Sequence, residues 1–289
     1  MSESFKHKLG WIPDYPDFRD YTEEHQQVKP ILAKLKIGRD SIQSKIDLRK
    51  WCSPIENQGG IGSCTAHAVA GIVEYFENKS FGKFIDASRL FLYKTTRNLL
   101  HNTGDTGAFL KTTLGALVLF GMPPEEYWPY NETRFDDEPD AFCYAFAHNY
   151  KCISYFRHDS PNTSKQDVLA SIKKYLSEGI PSVFGFTVYN SIRQADTDGC
   201  IPFPGNKERL MGGHAVSAVG FDDDIEITNQ NTGFVTRGAL LIRNSWGTEW
   251  GEKGYGWLPY EYVLRGLAQD WWSVLKEEWI DTGVFAGEE

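Results

Sequence analysis

No stretch of the 289 residues approaches the roughly 18 consecutive apolar positions of a membrane-spanning helix, so no membrane partner is expected. The opening Met1-Ser2-Glu3-Ser4-Phe5-Lys6-His7-Lys8 has no apolar run behind its charges, so no secretory leader is visible and a cytoplasmic location is expected. Basic excess is also missing. With a formal net charge of −9 there is no cationic stripe to neutralise phosphates, which argues against nucleic acid as a partner. The five cysteines (Cys52, Cys64, Cys143, Cys152, Cys200) are odd in number and irregular in spacing, with no Cys-x-x-Cys pair. A disulfide framework and a zinc knuckle are therefore not indicated, and neither a metal nor a cofactor is expected. Asp222-Asp223-Asp224 lacks the spacing of a calcium loop and reads as a solvated turn. Internal repeats and low-complexity tracts are absent as well.

What is present is an ordinary globular composition, 41% hydrophobic and 24% charged, long enough for a real core. Residues 1–45 form a distinct N-terminal extension. Its aromatic and Pro-rich run Leu9 to Tyr21 should be extended and pinned against the body, and 29–45 reads as a polar connector. Residues 46–145 read as a mainly helical lobe. A helix follows Cys64 through Val69, Ile72, Val73 and Phe76, and another spans 108–120, ending at Gly121 before Pro123-Pro124. Residues 146–289 carry one more helix, 165–177, and then change period to strands at 182–188, 215–221, 238–244, 254–258 and 271–275. The fold class is α+β, helices first and an antiparallel, barrel-like sheet after, with a cleft where the halves meet.

The stretch Asn57-Gln58-Gly59-Gly60-Ile61-Gly62-Ser63-Cys64-Thr65-Ala66-His67 concentrates the chemistry. A Gly-rich turn delivers Cys64 to the first turn of a helix, with Ser63 as N-cap, where free N–H groups and the helix dipole favour a thiolate. A thiolate nucleophile needs an imidazole, and His214 in Gly212-Gly213-His214-Ala215-Val216 stands at the mouth of a strand among small residues. Asn244 can orient that ring through its amide oxygen, and Gln58 can join the Cys64 N–H in holding an oxyanion. His67, one turn beyond Cys64, reads as a packed core histidine rather than a base. Gly212, Gly213 and Ala108 suggest a roomy, uncharged pocket beside the nucleophile, with a lean towards apolar substrate side chains.

These blocks, together with Asn244-Ser245-Trp246-Gly247-Thr248-Glu249-Trp250-Gly251 and Gly254-Tyr255-Gly256, resemble the papain-like cysteine proteases, in their microbial branch, from about residue 45 onward. The resemblance implies a two-lobed fold, with Cys64 as nucleophile, His214 as general acid/base, Asn244 as orienting amide and Gln58 as oxyanion-hole donor. It implies that Trp246 shields the His214–Asn244 hydrogen bond, and that Gly107 lies in a Gly-rich strip that binds substrate backbone. Ile61 stands where the family commonly has a cysteine, and no helical inhibitory prosegment is recognisable in residues 1–45. The expected function is a monomeric cysteine endopeptidase acting on a peptide or protein through a Cys-His-Asn triad and an acyl-enzyme. The alternatives are deamidation or transpeptidation on the same fold, or a latent, zymogen-like protein whose N-terminal segment occludes the cleft.

Overall fold

A computed structural model describes residues 7–35, 43–148 and 154–285. Cys152 lies outside the described residues, and Cys52, Cys64, Cys143 and Cys200 are free thiols. The helices are α1 (Lys29–Leu32), α2 (Cys64–Phe81), α3 (Arg89–Leu99), α4 (Leu110–Phe120), α5 (Ala141–Ala147), α6 (Lys165–Ser177), α7 (Tyr260–Leu264) and α8 (Glu277–Ile280). The strands are β1 (Lys45–Asp47), β2 (Ser154–Arg157), β3 (Ser182–Tyr189), β4 (Leu210–Thr228), β5 (Val235–Arg243), β6 (Tyr255–Pro259) and β7 (Ala268–Leu275). They form one antiparallel sheet in the order β2-β7-β3-β4-β5-β6, with β1 added alongside β4. The fold is thus α+β as expected, although the sheet stays unclosed rather than curling into a barrel.

Helix α2 is the pivot. Every residue from Cys64 to Phe76 is buried, so it is a core helix wrapped on all sides rather than an amphipathic one with a wet face. It stops at Gly82, whose φ of 69° is the left-handed conformation that glycine adopts without strain. Ser63 does not cap it through its side chain; the Ser63 hydroxyl turns instead to Tyr130 Oη at 2.7 Å. Sideways, α2 is fixed to the sheet by Ser217 Oγ of β4, which donates to Ala68 O at 3.0 Å. A buried polar cluster adds a second link. Glu74 on α2, held by Arg89 of α3, accepts from Ser53 Oγ at 2.5 Å, and Arg243 at the end of β5 donates to Ser53 Oγ at 2.9 Å and Pro54 O at 2.7 Å. Helix and sheet are thereby held in one relative position, which sets the spacing of anything carried on their facing ends.

The N-terminal segment is non-helical around Pro13 and Pro16, but its aromatics divide. Trp11 is buried, whereas Tyr15 and Phe18 are exposed. The connector reading of 29–45 is corrected at its start, where α1 occurs, preceded by Val28, and Val28, Ile31, Leu32 and Leu35 are buried; residues 36–42 lie outside the described residues. Those four apolar positions sit among charges at helical spacing, a short pattern that overall polarity masks. The 108–120 helix begins only at Leu110, because Ala108 and Phe109 are extended. Helices α5 and α7 and strand β2 are additions to the sequence reading. The acidic run Asp222-Asp223-Asp224 is not a solvated turn. It lies in β4 at an irregularity in the ladder with β5, where Asp222 pairs with Lys45, Asp223 with Lys173 and Asp224 with Arg237.

Arg157, at the end of β2, ties the N-terminal segment to the sheet. Its side chain is fully buried and meets Asp20 at 3.0 Å, Asp159 at 2.9 Å and Asp270 at 3.4 Å, and it donates to Asp14 O at 2.7 Å. The cation offsets the cost of enclosing three carboxylates in a low-dielectric interior. Arg157→Met is expected to destabilise the protein by about 3–5 kcal/mol, since it leaves those carboxylates without their buried partner. Urea unfolding at neutral pH measures this, and a loss under about 1 kcal/mol would show that the carboxylates find other partners.

Candidate active site

The first turn of α2 meets the start of β4 at Cys64, which has no exposed surface. The backbone N–H groups of Ala215, Gly10, Thr65 and Cys64 itself favour the charged form of the sulfur. Burial outweighs them and pushes the Cys64 thiol up to about 11. The expected thiolate is therefore not what this form holds. The helix N-terminus is present, but water has been excluded, and desolvation is the larger effect.

Ala215, whose backbone N–H acts on the Cys64 sulfur, is the residue after His214, so the front and back halves of the chain adjoin along β4. His214 Nε2 donates to Asn244 Oδ1 at 2.8 Å. That atom also accepts from Ser245 N–H at 2.8 Å, which identifies it as the amide oxygen. The proton of the neutral ring is thus on Nε2, and Nδ1, buried and without a hydrogen bond, keeps its lone pair. Burial also holds the imidazole down at about 4, against the Asn244 bond, which favours the charged ring. Trp246 stacks on His214 with ring centroids 4.5 Å apart, and His7 stacks on Trp246 at 5.0 Å. The indole thereby keeps water from the His214–Asn244 bond. His67 is a buried core histidine: its Nδ1 lies 3.1 Å from Ser63 O, and burial lowers it to about 3.

Gln58 is fully buried, and both ends of its amide are assigned. Oε1 accepts from Ser245 Oγ at 2.7 Å, while Nε2 donates to Ile61 O and to Lys8 O, both at 3.0 Å. The second acceptor belongs to the N-terminal segment, which runs along the cleft. Trp11 N–H donates to Gly213 O at 3.1 Å, Ala108 N–H to Gly10 O at 2.8 Å, and Ile12 N–H to Ala108 O at 3.0 Å, so Trp11 and Ala108 form a parallel bridge. Ala108, rather than Gly107, makes the backbone pairing; the Gly107 N–H is taken by Tyr93 Oη at 3.1 Å. Gly107 instead provides clearance, because a Cβ there would overlap Gly10 O. Leu9 packs over Gly212 and Trp11 over Gly213. His101, by contrast, is an exposed loop residue.

The pocket beside the nucleophile is corrected in one respect: it is not uncharged. The Trp11 indole N–H donates to Asp270 Oδ2 at 3.0 Å. Burial pushes the Asp270 carboxyl up to about 7, against Arg157 and the Trp11 and Trp272 N–H groups, which favour ionisation. Asp270 escaped the sequence reading, as did Ser245. The available signal was a lone carboxylate beside Trp271-Trp272 in a strand with no other charge, where an enclosed charge demands partners.

Comparison with known proteins places this geometry. Residues 42–269 match the model of the papain family cysteine proteases. An uncharacterized peptidase C1-like protein of Acanthamoeba polyphaga mimivirus is 32% identical over 286 residues, covering 94% of this chain and 88% of its own. The crystal structure of xylellain, a cysteine protease from Xylella fastidiosa, superposes with a TM-score of 0.74 at 33% identity, covering 95% of this chain and 98% of that one. The bromelain protease of Ananas comosus shares the fold at a TM-score of 0.58 and 20% identity, over 81% of this chain and 100% of that one. On the family match across most of its length, the chain belongs to the papain family of cysteine proteases, and it is a cysteine peptidase.

Proposed function

We propose that the chain hydrolyses peptide bonds through a Cys64–His214–Asn244 triad and a covalent acyl-enzyme. His214 Nδ1 takes the thiol proton as the sulfur attacks the carbonyl carbon, and the imidazolium returns that proton to the leaving amine. Gln58 Nε2 and the Cys64 N–H hold the oxyanion. Water then attacks the thioester with His214 as base, releasing the second product and the free thiol. Asn244 keeps the ring in the tautomer that this sequence requires.

The observation that carries the reading is the carbonyl oxygen already seated on Gln58. Lys8 O lies 3.0 Å from Gln58 Nε2, while the backbone N–H of Gly10, two residues on, favours charge on the Cys64 sulfur. A peptide thus fits between donor and nucleophile. The same observation makes the described form a covered one: residues 8–12 occupy the path that a substrate would take, so turnover requires them to leave.

Mass analysis of products tests the chemistry. Hydrolysis gives two fragments whose summed mass exceeds the parent by one water; transpeptidation gives joined fragments, and deamidation an intact chain. Gln58→Ala is expected to lower kcat about 10²–10³-fold with a much smaller change in KM, because the oxyanion forms only after binding. An unchanged kcat would remove Gln58 from the mechanism.

A further inference from the structure

The side chain that fills the cleft pocket in this form shows what the pocket is shaped to hold. Trp11 is 5% exposed and lies flat against two strands. A Cβ on Gly185 of β3 would overlap its indole, and one on Gly213 of β4 would come within 2.6 Å of Cε3, so the slot exists because both positions are glycine. At its far end stands Asp270, fully buried. Its two oxygens differ. Oδ1 accepts from Trp272 Nε1 at 2.6 Å and faces Arg157 Nη2 at 3.4 Å, whereas Oδ2 has Trp11 Nε1. The backbone that aims Oδ2 inward is itself unusual, with φ of 64° at Asp270. It is pinned by Asp159, which accepts from the N–H groups of Asp270 and Trp271 at 2.8 and 3.0 Å.

We infer that Asp270 is a specificity-determining residue, and that the pocket selects a large flat substrate side chain carrying a hydrogen-bond donor at its far edge, indole foremost. The inference rests on the peptidase reading and adds the substrate class to it. An aliphatic or donor-free aromatic side chain would displace water from Oδ2 without replacing the hydrogen bond, leaving a buried acceptor unpaired. A guanidinium would supply donors, but it would bring a second cation beside Arg157. The lean towards purely apolar side chains is thereby replaced.

The test uses the full-length chain as Trp11→Ala, which vacates the slot while keeping the rest of the segment. Short peptides carry Trp, benzothienylalanine (indole shape with sulfur in place of N–H), Leu or Arg at each position in turn. Each is assayed twice, as substrate and as competitor of Cys64 labelling by a thiol-directed epoxide, with the epoxide also counting folded sites. At one peptide position, Trp is expected to exceed benzothienylalanine by about tenfold or more in kcat/KM and in protection. Adding Asp270→Ala or Asp270→Asn should bring that ratio close to one or sharply reduce it. Equal values for Trp and its donor-free isostere, a ratio that survives Asp270→Ala, or a preference for Arg would overturn the inference. Protection that favours Trp without any hydrolysis would count against the peptidase reading and leave this one standing.

Discussion

Cys64→Ala is expected to lower peptide hydrolysis by about 10⁴-fold or more and to abolish labelling by a thiol-directed epoxide. In the proposed mechanism the sulfur is both the atom that forms the bond to substrate and the atom that loses the proton to His214, so nothing else at the site can replace it. His214→Ala should fall nearly as far, and the double variant hardly further, since the two act as a unit. The three proteins are compared by kcat on one peptide, with circular dichroism to confirm that each is folded. Activity in Cys64→Ala within tenfold of the parent would end the assignment, because Cys52, Cys143 and Cys200 are not at the cleft.

Loosening residues 8–12 should have the opposite effect. Trp11→Ala removes a buried indole and its bond to Asp270; truncations of this size in a packed setting cost about 3–5 kcal/mol. That bias falls on the covered form alone. Epoxide labelling and hydrolysis of a small peptide are therefore expected to rise about 100-fold, or up to the rate of the fully open form. Equal rates in parent and variant would show that the segment is no barrier. The share of the pH dependence carried by His214 and Cys64 follows from their burial. His214 has its pKa lowered to about 4 in the covered form, so the open form binds more protons, and opening is favoured as pH falls from about 6.5 towards 4. Cys64 is raised to about 11, so opening is also favoured as pH rises from 9 towards 11. The covered form should thus be most populated between these ranges, around pH 7–8. Hydrogen exchange at the Trp11 and Ile12 amides, corrected for intrinsic rate, should be slowest there.

The legible parts of this molecule are those whose meaning is local. A Gly-rich turn before Cys64, small residues before His214 and an asparagine just past a strand each point to a candidate within a few positions, and the fold joins the blocks through the Gln58–Ser245 and His214–Asn244 hydrogen bonds. Most segments from 165 to 275 were legible for the same reason, period and turn residues marking their elements, although α7 and the passage of β4 through Asp222-Asp223-Asp224 were not. What escaped depends on register between distant strands. Asp270 acquires its role only because β7 lies beside β3, which brings it to Trp11, 259 positions away. The charge state of Cys64 was misread for a related reason. The helix N-terminus is visible in sequence, but the water it needs is displaced by residues 8–12, whose place over the cleft the aromatic run from Trp11 to Tyr21 offered only as an alternative.

Because residues 8–12 are continuous with the chain they cover, their occupancy of the cleft does not fall on dilution. They are moored on both flanks, by Lys8 to Asp105 on one side and by Asp20 to Arg157 and the buried α1 on the other. A ligand held this way acts at an effective concentration on the order of millimolar. An added peptide must compete with that figure rather than with the protein's own concentration. Exposure of the thiol is then a unimolecular event, with a half-time that is the same in a crowded cell and in a dilute cuvette.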